Sequence, residues 1–204
     1  MISSSLSNST LRTWSLPESA MKLLLNDSSV LLNLLATNRF AEIASGGIWQ
    51  FAVCPAVLGE VIELRDHHTG ELVPVDLGPL ISSGVLQLLE LSGDEEEALY
   101  IEQAIVVDDG EAMSIAIAAS RHLELAIDDK QASNHARHRF PEIKLWTTPE
   151  ILKHWADSES VDAVSLCATI QLIESRSRYI PPKSHPLNTW WQAAKSANLL
   201  QGCD

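Results

Sequence analysis

Short apolar runs alternate with longer segments of helical periodicity from residue 21 to residue 147. The apolar runs predict buried strands at residues 22–26, 48–53, 84–91, 123–127 and 143–147. The segments between them predict helices at residues 28–45, 55–64, 95–104 and 110–122. Strands that alternate with helices favour a parallel sheet covered on both faces. We therefore expect a three-layer α/β/α fold with a central parallel sheet of four to five strands.

The two ends of the chain differ in character from this alternating region. Residues 1–20 form a serine-rich polar leader, which lacks the apolar core of a signal peptide. Residues 21–148 form the predicted α/β domain. Residues 149–204 predict a helical C-terminal extension, with helices at 151–156, 161–175 and 187–199, the last two of which are separated by Pro181, Pro182 and Pro186.

Net charge, apolar runs and cysteine spacing argue against several classes of protein. The formal net charge is −13, which argues against a general basic surface for nucleic acid. No apolar run approaches the roughly 18 residues that a membrane span needs. The three cysteines, Cys54, Cys167 and Cys203, are widely spaced and indicate neither a disulfide framework nor a structural zinc site. We expect a cytoplasmic protein that does not enter a membrane.

Four acidic residues lie at the edges of apolar segments. Asp27 and Asp129 follow predicted strands, whereas Glu60 and Glu111 lie early in predicted helices, the first of which opens at Pro55. Strand C-terminal ends and helix N-terminal ends meet at the same edge of a parallel α/β sheet. Crowded carboxylates raise one another's pKa unless a cation lies among them. This arrangement predicts a site for a divalent metal ion.

The segments that carry these acids resemble four motifs of a known family. They are NDSSVLLNLL, CPAVLGEVIEL, DDGEAMSIAIAAS and LAIDDKQA, in that order along the chain. The chain resembles the PIN-domain family, whose members include the VapC-type ribonuclease toxins. The resemblance covers roughly residues 21–148 and extends only loosely to the helices beyond.

The resemblance implies four catalytic, metal-binding acids: Asp27, Glu60, Glu111 and Asp129. It also implies that Ser29 supports the first acid, and that Asp109 and Asp128, which adjoin the third and fourth acids, have supporting roles. The implied activity is metal-dependent cleavage of single-stranded or structured RNA. An all-oxygen ligand set suits Mg²⁺ or Mn²⁺. A VapC-type toxin would also have a small antitoxin partner that masks the acidic site.

Each acid also has a purely structural explanation. Asp27 and Asp129 are residues that commonly cap helices, Glu111 would be favoured by a helix dipole, and Glu60 would simply face solvent. The main functional alternative is a PIN-like module that binds nucleic acid or protein without cutting. A haloacid-dehalogenase-type site would need a second aspartate where Ser29 stands. No glycine-rich turn follows the first strand, so a dinucleotide site is not predicted.

Basic residues follow the fourth acid. We expect Lys130, Arg137 and Arg139 to contact the phosphate backbone of a substrate, although a solvated polar face is the structural alternative. Arg176, Arg178, Tyr179 and Lys183 are candidates for a second nucleic-acid contact, although residues of this type more often end a helix and shield its last carbonyls. Three tryptophans beyond residue 149 are expected to act as packing anchors or as a contact between copies in a homo-oligomer.

Overall fold

The structure is a computed structural model that describes residues 21–60 and 63–196. Its strands are β1 (Lys22–Asn26), β2 (Trp49–Val53), β3 (Glu63–Arg65), β4 (Leu72–Pro74), β5 (Leu86–Leu88), β6 (Glu124–Ala126) and β7 (Leu145–Trp146). Its helices are α1 (Ser28–Ala36), α2 (Phe40–Ser45), α3 (Pro55–Gly59), α4 (Gly78–Ser82), α5 (Gly93–Gln103), α6 (Asp109–Arg121), α7 (Lys130–Arg139), α8 (Thr148–Ser158), α9 (Ala163–Arg176) and α10 (Asn188–Ser196). The predicted polar leader and Cys203 lie outside the described residues.

A five-stranded parallel sheet organises the molecule, in the order β5-β2-β1-β6-β7. Helices flank this sheet, which confirms the predicted α/β architecture. Leu24 and Leu25 point to opposite faces of the central strand β1, and both are fully buried. A strand that is apolar on both faces is stable only when both faces are covered, which is why KLLLN forms the centre of the sheet.

The strand order reverses beside β1. The chain passes from β1 to β2 and β5 on one side, and then to β6 and β7 on the other side. Ligands of open α/β sheets bind in the crevice outside the carboxyl ends of the strands at such a switch point. Asp27 follows β1 directly, and Asp128 and Asp129 follow β6, so these residues flank the crevice.

One predicted helix, residues 28–45, is divided into α1 and α2. The hydroxyl of Thr37 donates to the Leu34 carbonyl at 2.5 Å, and Asn38 adopts a left-handed backbone with φ 57°. Threonine competes locally for helix carbonyls, and asparagine tolerates the left-handed region better than most residues. These two residues therefore end α1, although the apolar pattern continues into α2.

The predicted helix at residues 55–64 is also shorter in the structure. Pro55 does occupy the first turn of α3, but the helix ends at Gly59, a residue with poor helix propensity. Glu60 has an extended backbone (φ −72°, ψ 143°) and so follows the helix, which corrects the prediction that it lies early within one. β3 and β4 then form an antiparallel hairpin.

Two helices were not predicted. α4 is a short helix with Pro79 in its first turn. α7 buries only Ala132, Ser133 and Ala136, all small residues, so its sequence KQASNHARHR carries almost no apolar periodicity. Its N-cap is Asp129, whose side chain accepts from the backbone N–H of Ala132 at 2.8 Å. A capping aspartate before an alanine-containing polar stretch was the available signal for α7.

The C-terminal helices share the core of the α/β domain. Ile151, Leu152 and Trp155 of α8 belong to the same buried cluster as Leu24, and Ile170 of α9 joins it as well. The core therefore shows no break at the predicted boundary between residues 148 and 149.

The N-terminal edge of the sheet contains a buried acid with a full set of donors. Glu124 accepts from Lys22 Nζ at 2.8 Å and from the indole N–H groups of Trp49 at 2.8 Å and Trp146 at 2.7 Å. Burial opposes ionisation of Glu124, but these hydrogen bonds outweigh that effect and lower its pKa. This buried carboxylate is stabilised by its partners and has no need of a metal ion.

In the described part of the chain, no helix has the length and apolar character required to cross a membrane. Cys54 and Cys167 are both buried free thiols.

Candidate active site

The four acids from the sequence motifs lie around one pocket of about 450 Å³ at the C-terminal edge of the sheet. The residues that line it are Asp27, Ser28, Ser29, Glu60, Asp108, Glu111, Asp128, Asp129 and Tyr179. Among the described residues, no lysine or arginine lines this pocket, which we call the acidic pocket. The fold thus brings together the four carboxylates that the sequence placed in separate motifs.

Asp27 is held at the end of β1 by its neighbours. Its Oδ2 accepts from the Ser29 hydroxyl at 2.6 Å and from the Ser29 backbone N–H at 3.3 Å. Asp27 is therefore the N-cap of α1 as well as a lining residue of the pocket, so the structural explanation and the functional one apply together. The side chain is almost completely buried, at 3% exposure.

Glu111 enters the pocket from the first turn of α6. Asp108 is the N-cap of this helix, and the two residues form a capping box in which Glu111 Oε2 accepts from the Asp108 backbone N–H at 3.3 Å. Asp108 also lines the acidic pocket, a role that the sequence analysis did not assign to it. The pattern of an aspartate followed three residues later by a glutamate was the signal that could have identified it.

Glu60 reaches the pocket from the end of α3. Its carboxylate contacts the Cα side of Gly110, in the space that a β-carbon at that position would fill. Glycine at position 110 therefore allows α3 and α6 to approach closely enough for both acids to reach one pocket.

Asp129 and Asp128 follow β6 but make different contacts. Asp129 uses Oδ1 to cap α7 and is exposed at the pocket. Asp128 accepts from Asn33 Nδ2 at 2.9 Å, from the Thr148 hydroxyl and N–H at 2.5 and 3.0 Å, and from the Tyr179 hydroxyl at 3.2 Å. Both oxygens of Asp128 are occupied, so this side chain ties α1, α8 and the segment after α9 together at the pocket wall.

The other predicted site residues lie outside the acidic pocket. Asp109 is exposed at the first position of α6 and accepts from the Tyr100 hydroxyl. Lys130 is the first residue of α7, whereas Arg137 and Arg139 lie in its last turn. At 1.5 Å per residue, these two arginines lie about 12–15 Å along the helix from Asp129. Arg139 also pairs with Glu102 at 3.0 Å.

Burial and crowding disfavour ionisation of three acids of the pocket. Burial raises the pKa of Asp27, and the charge of Asp129 adds to this effect. Partial desolvation and the charges of Asp27 and Asp108 raise the pKa of Glu60. Desolvation and the charges of Asp27 and Asp129 raise the pKa of Glu111 to about 7. Unlike Glu124, these acids have no cationic side chain in their pocket, so a bound cation would relieve their repulsion.

The acidic side chains of the pocket offer oxygen donors, the ligand type that hard divalent cations prefer. Among residues 21–60 and 63–196, no three His, Cys, Asp or Glu side chains are placed so that they could hold a metal ion. Mg²⁺ commonly keeps several waters and binds proteins through only one or two carboxylates. The all-oxygen donor set and the raised pKa values suit such an ion, with Asp27 and Asp129 as the acids at the strand ends.

Comparison of the chain with protein-family models, with curated proteins and with solved structures gives no significant match. The resemblance to the PIN-domain family therefore rests on the four motifs.

Proposed function

We propose that this protein is a Mg²⁺- or Mn²⁺-dependent endoribonuclease of the PIN type, acting in the cytoplasm. The observation that carries the proposal is the convergence of Asp27, Glu60, Glu111 and Asp129 on one pocket at the switch point of the sheet. Raised pKa values at Asp27, Glu60 and Glu111, in a pocket with no basic side chain among its described lining residues, are typical of a functional site. The RNA substrate would be single-stranded or structured.

In this proposal each of the four acids reaches the metal ion from a different element of the fold. Asp27 and Asp129 would hold the ion at the ends of β1 and β6, and Glu60 and Glu111 would complete its surroundings from α3 and α6. Ser29 orients the Asp27 carboxylate through its 2.6 Å hydrogen bond. A divalent ion in such a site supplies polarisation of a phosphodiester oxygen and a bound water of lowered pKa.

The family resemblance extends this proposal to the toxin of a toxin–antitoxin pair. A small partner protein that placed a basic side chain among the four acids would neutralise them and block the pocket. Desolvation and the charges of Asp27 and Asp129 raise the pKa of Glu111. A basic side chain of the partner would offset those charges, as a metal ion would.

A second candidate function is a module that binds nucleic acid or protein without cutting. It is favoured by the net charge of −13 and by the lack of a ready three-ligand metal group in the described residues. A nuclease has to bring a polyanionic substrate towards this acidic surface, whereas a module that binds a basic protein does not.

The decisive experiment is incubation of the purified full chain with a pool of varied RNA sequences, with Mn²⁺ and with chelator. The proposal predicts cleavage that needs Mn²⁺ and that falls by at least about 100-fold in Asp27→Asn and Asp129→Asn, because asparagine keeps each helix cap but removes the charge. Asp157→Asn, on the exposed face of α8, is the matched control and retains activity. Binding of RNA without cleavage under every condition would favour the binding module.

A further inference from the structure

A second pocket adjoins the acidic pocket and has the opposite charge. It measures about 380 Å³, and its lining includes Ser29 and Tyr179, which also line the acidic pocket. Arg65, Arg176 and Arg178 line it as well, together with one acid, Glu63. We call this pocket the basic cleft. Ser29 and Tyr179 form the boundary between the two pockets.

The basic cleft gathers cationic side chains from distant parts of the chain. The whole sequence has 14 lysines and arginines against 27 aspartates and glutamates, yet three arginines meet here. Arg65 belongs to β3, whereas Arg176 and Arg178 lie at and after the end of α9. The charged side chains that line the two pockets therefore change from acidic in the first to mainly basic in the second.

Neutral groups position two of these arginines. Arg176 donates from Nε to the Arg65 carbonyl at 3.1 Å and from Nη1 to the Ala36 carbonyl at 2.8 Å. Arg65 donates from Nη1 to the Gly70 carbonyl at 2.8 Å. Within the described ranges, none of the three cleft arginines forms an ion pair with a carboxylate, in contrast to Arg39, Arg121 and Arg139. Their positive charge therefore remains available to a ligand.

Arg178 is the most accessible of the three. It is exposed, and its side chain makes no hydrogen bond to another described residue. Its backbone has φ 61° directly after Ser177, the C-cap of α9. Glycine is the usual residue at a left-handed position of this kind. Removal of the Arg178 side chain thus removes no hydrogen bond or ion pair to another described residue.

We propose that the basic cleft binds a backbone phosphate of a single-stranded polynucleotide, next to the phosphodiester group at the acidic pocket. A guanidinium group matches a phosphate through paired N–H donors, and no carboxylate in the described part of the chain forms an ion pair with these arginines. The strand would cross the boundary at Ser29 and Tyr179. This inference rests on the proposed function, and it explains how a chain of net charge −13 can hold a polyanion beside its acids.

The test is the binding of a 5′-labelled 15-nucleotide oligouridylate to the full chain by fluorescence anisotropy. Chelator is present so that no cleavage occurs. Arg178→Gly should weaken binding by about five- to tenfold and reduce the slope of log K against log salt by about 0.7, the value for one phosphate contact on a single strand. Its Tm should be unchanged or higher, because glycine is favoured at φ 61°. Arg178→Lys should retain part of the affinity.

Two control variants separate the cleft from other basic residues. Arg39→Gln removes a half-buried arginine that lines neither pocket and pairs with Glu42, and it should leave the affinity and the salt slope unchanged. Arg137→Gln tests the basic end of α7 in the same assay. If Arg137→Gln lowers the salt slope and Arg178→Gly does not, the cleft is not the phosphate site and the inference is overturned.

Further measurements distinguish the ligand and separate this inference from the proposed function. Equal binding of oligothymidylate supports a phosphate contact, because both strands share the phosphodiester backbone. Inorganic phosphate is tested by its effect on the Tm. If it raises the Tm of the parent but not of Arg178→Gly, while Arg178→Gly binds oligouridylate as the parent does, the inference is overturned. RNA binding that depends on Arg178 without any Mn²⁺-dependent cleavage supports the cleft and counts against the nuclease. Mn²⁺-dependent cleavage together with RNA binding that is independent of Arg178 supports the nuclease and counts against the cleft.

Discussion

The carboxylate of Glu60 lies against the Cα of Gly110, in the volume that a β-carbon at position 110 would occupy. This contact joins the end of α3 to the beginning of α6, and it brings the second acidic motif beside the third. Val57 Cγ2 lies 3.4 Å from the same β-carbon position, which is an ordinary van der Waals distance. The side chain that would have to move for a larger residue is therefore Glu60, whose carboxylate lies at the end of a flexible chain.

Gly110→Ala should weaken metal binding without unfolding the protein. The added methyl group displaces the Glu60 carboxylate from the pocket, and we expect Mn²⁺ affinity to fall by about tenfold, as for loss of a group that supports a metal site. The free energy of unfolding should change by less than about 1 kcal/mol, since alanine is favoured over glycine in a helix. Isothermal titration calorimetry measures the first quantity, and urea denaturation measures the second.

The matched control for Gly110→Ala is Gly59→Ala. A β-carbon at position 59 has no atom within 4 Å, so this variant adds the same methyl group into open space. It should bind Mn²⁺ as the parent does. Unchanged Mn²⁺ affinity in Gly110→Ala would show that Glu60 does not contribute to the site.

Divalent metal should raise the melting temperature of the parent chain. A ligand that binds only the folded state at about 100 times its Kd stabilises it by about 2.7 kcal/mol, or about 5–10 °C for a chain of this size. Asp27→Asn should abolish most of this rise while it retains the α1 cap. Differential scanning calorimetry with Mn²⁺ and with chelator measures the effect, and Asp157→Asn is the control. No rise in the parent would contradict the metal site.

The stability of the metal-free protein should fall as the pH rises towards neutrality. The pKa of Glu111 is raised from 4.5 to about 7 in the folded chain. The folded state therefore holds this proton more tightly than the unfolded state, so the contribution of Glu111 is fully present below about pH 4.5 and is lost by about pH 7. Asp27 and Glu60, whose pKa values are also raised, act in the same direction.

Glu111→Gln should flatten this pH dependence. Glutamine preserves the acceptor oxygen of the capping box but has no proton to lose. Urea denaturation in chelator at several pH values between about 4.5 and 7.5 measures the slope. Glu97→Gln, at an exposed position of α5, should keep the slope of the parent. Identical slopes for the parent and Glu111→Gln would mean that the folded environment does not perturb this carboxyl group.

Thr148→Val should destabilise the wall of the acidic pocket. The Thr148 hydroxyl is fully buried, donates to Asp128 Oδ2 at 2.5 Å and accepts from Asn33 Nδ2 at 3.1 Å. Valine preserves the shape but leaves the Asp128 carboxylate short of one donor, at an expected loss of about 1–3 kcal/mol. The urea midpoint should fall with an unchanged m-value. Thr189→Val, exposed on α10, is the control, and an equal midpoint in both variants would contradict the structural role of Asp128.

Much of the sheet follows from local sequence. The run at β1 is apolar on both faces, and only a covered parallel strand can bury both Leu24 and Leu25. The predicted strand at residues 22–26 is confirmed with the same bounds. Asp27, Glu111 and Asp129 lie where the ends of strands and the starts of helices place them, because the carboxyl edge of a parallel sheet gathers both kinds of end.

Local sequence could not predict the helix ends or α7. The apolar pattern continues through Thr37 and Asn38, although the backbone turns there into the left-handed region. α7 has almost no apolar periodicity because it buries only small side chains. Glu60 was predicted early in a helix and instead follows one, since Gly59 ends α3.

The sequence by itself determined the class of fold and the positions of Asp27, Glu111 and Asp129 at the ends of strands and starts of helices, because strand burial and helix capping depend on residues close to one another in the chain. Only the tertiary structure decided which charges surround those acids. Asp128 is occupied by donors from Asn33, Thr148 and Tyr179, and the basic cleft brings Arg65 to Arg178, more than 100 residues away. Such contacts depend on how separate elements pack, and the periodicity of a single element carries no information about its distant neighbours.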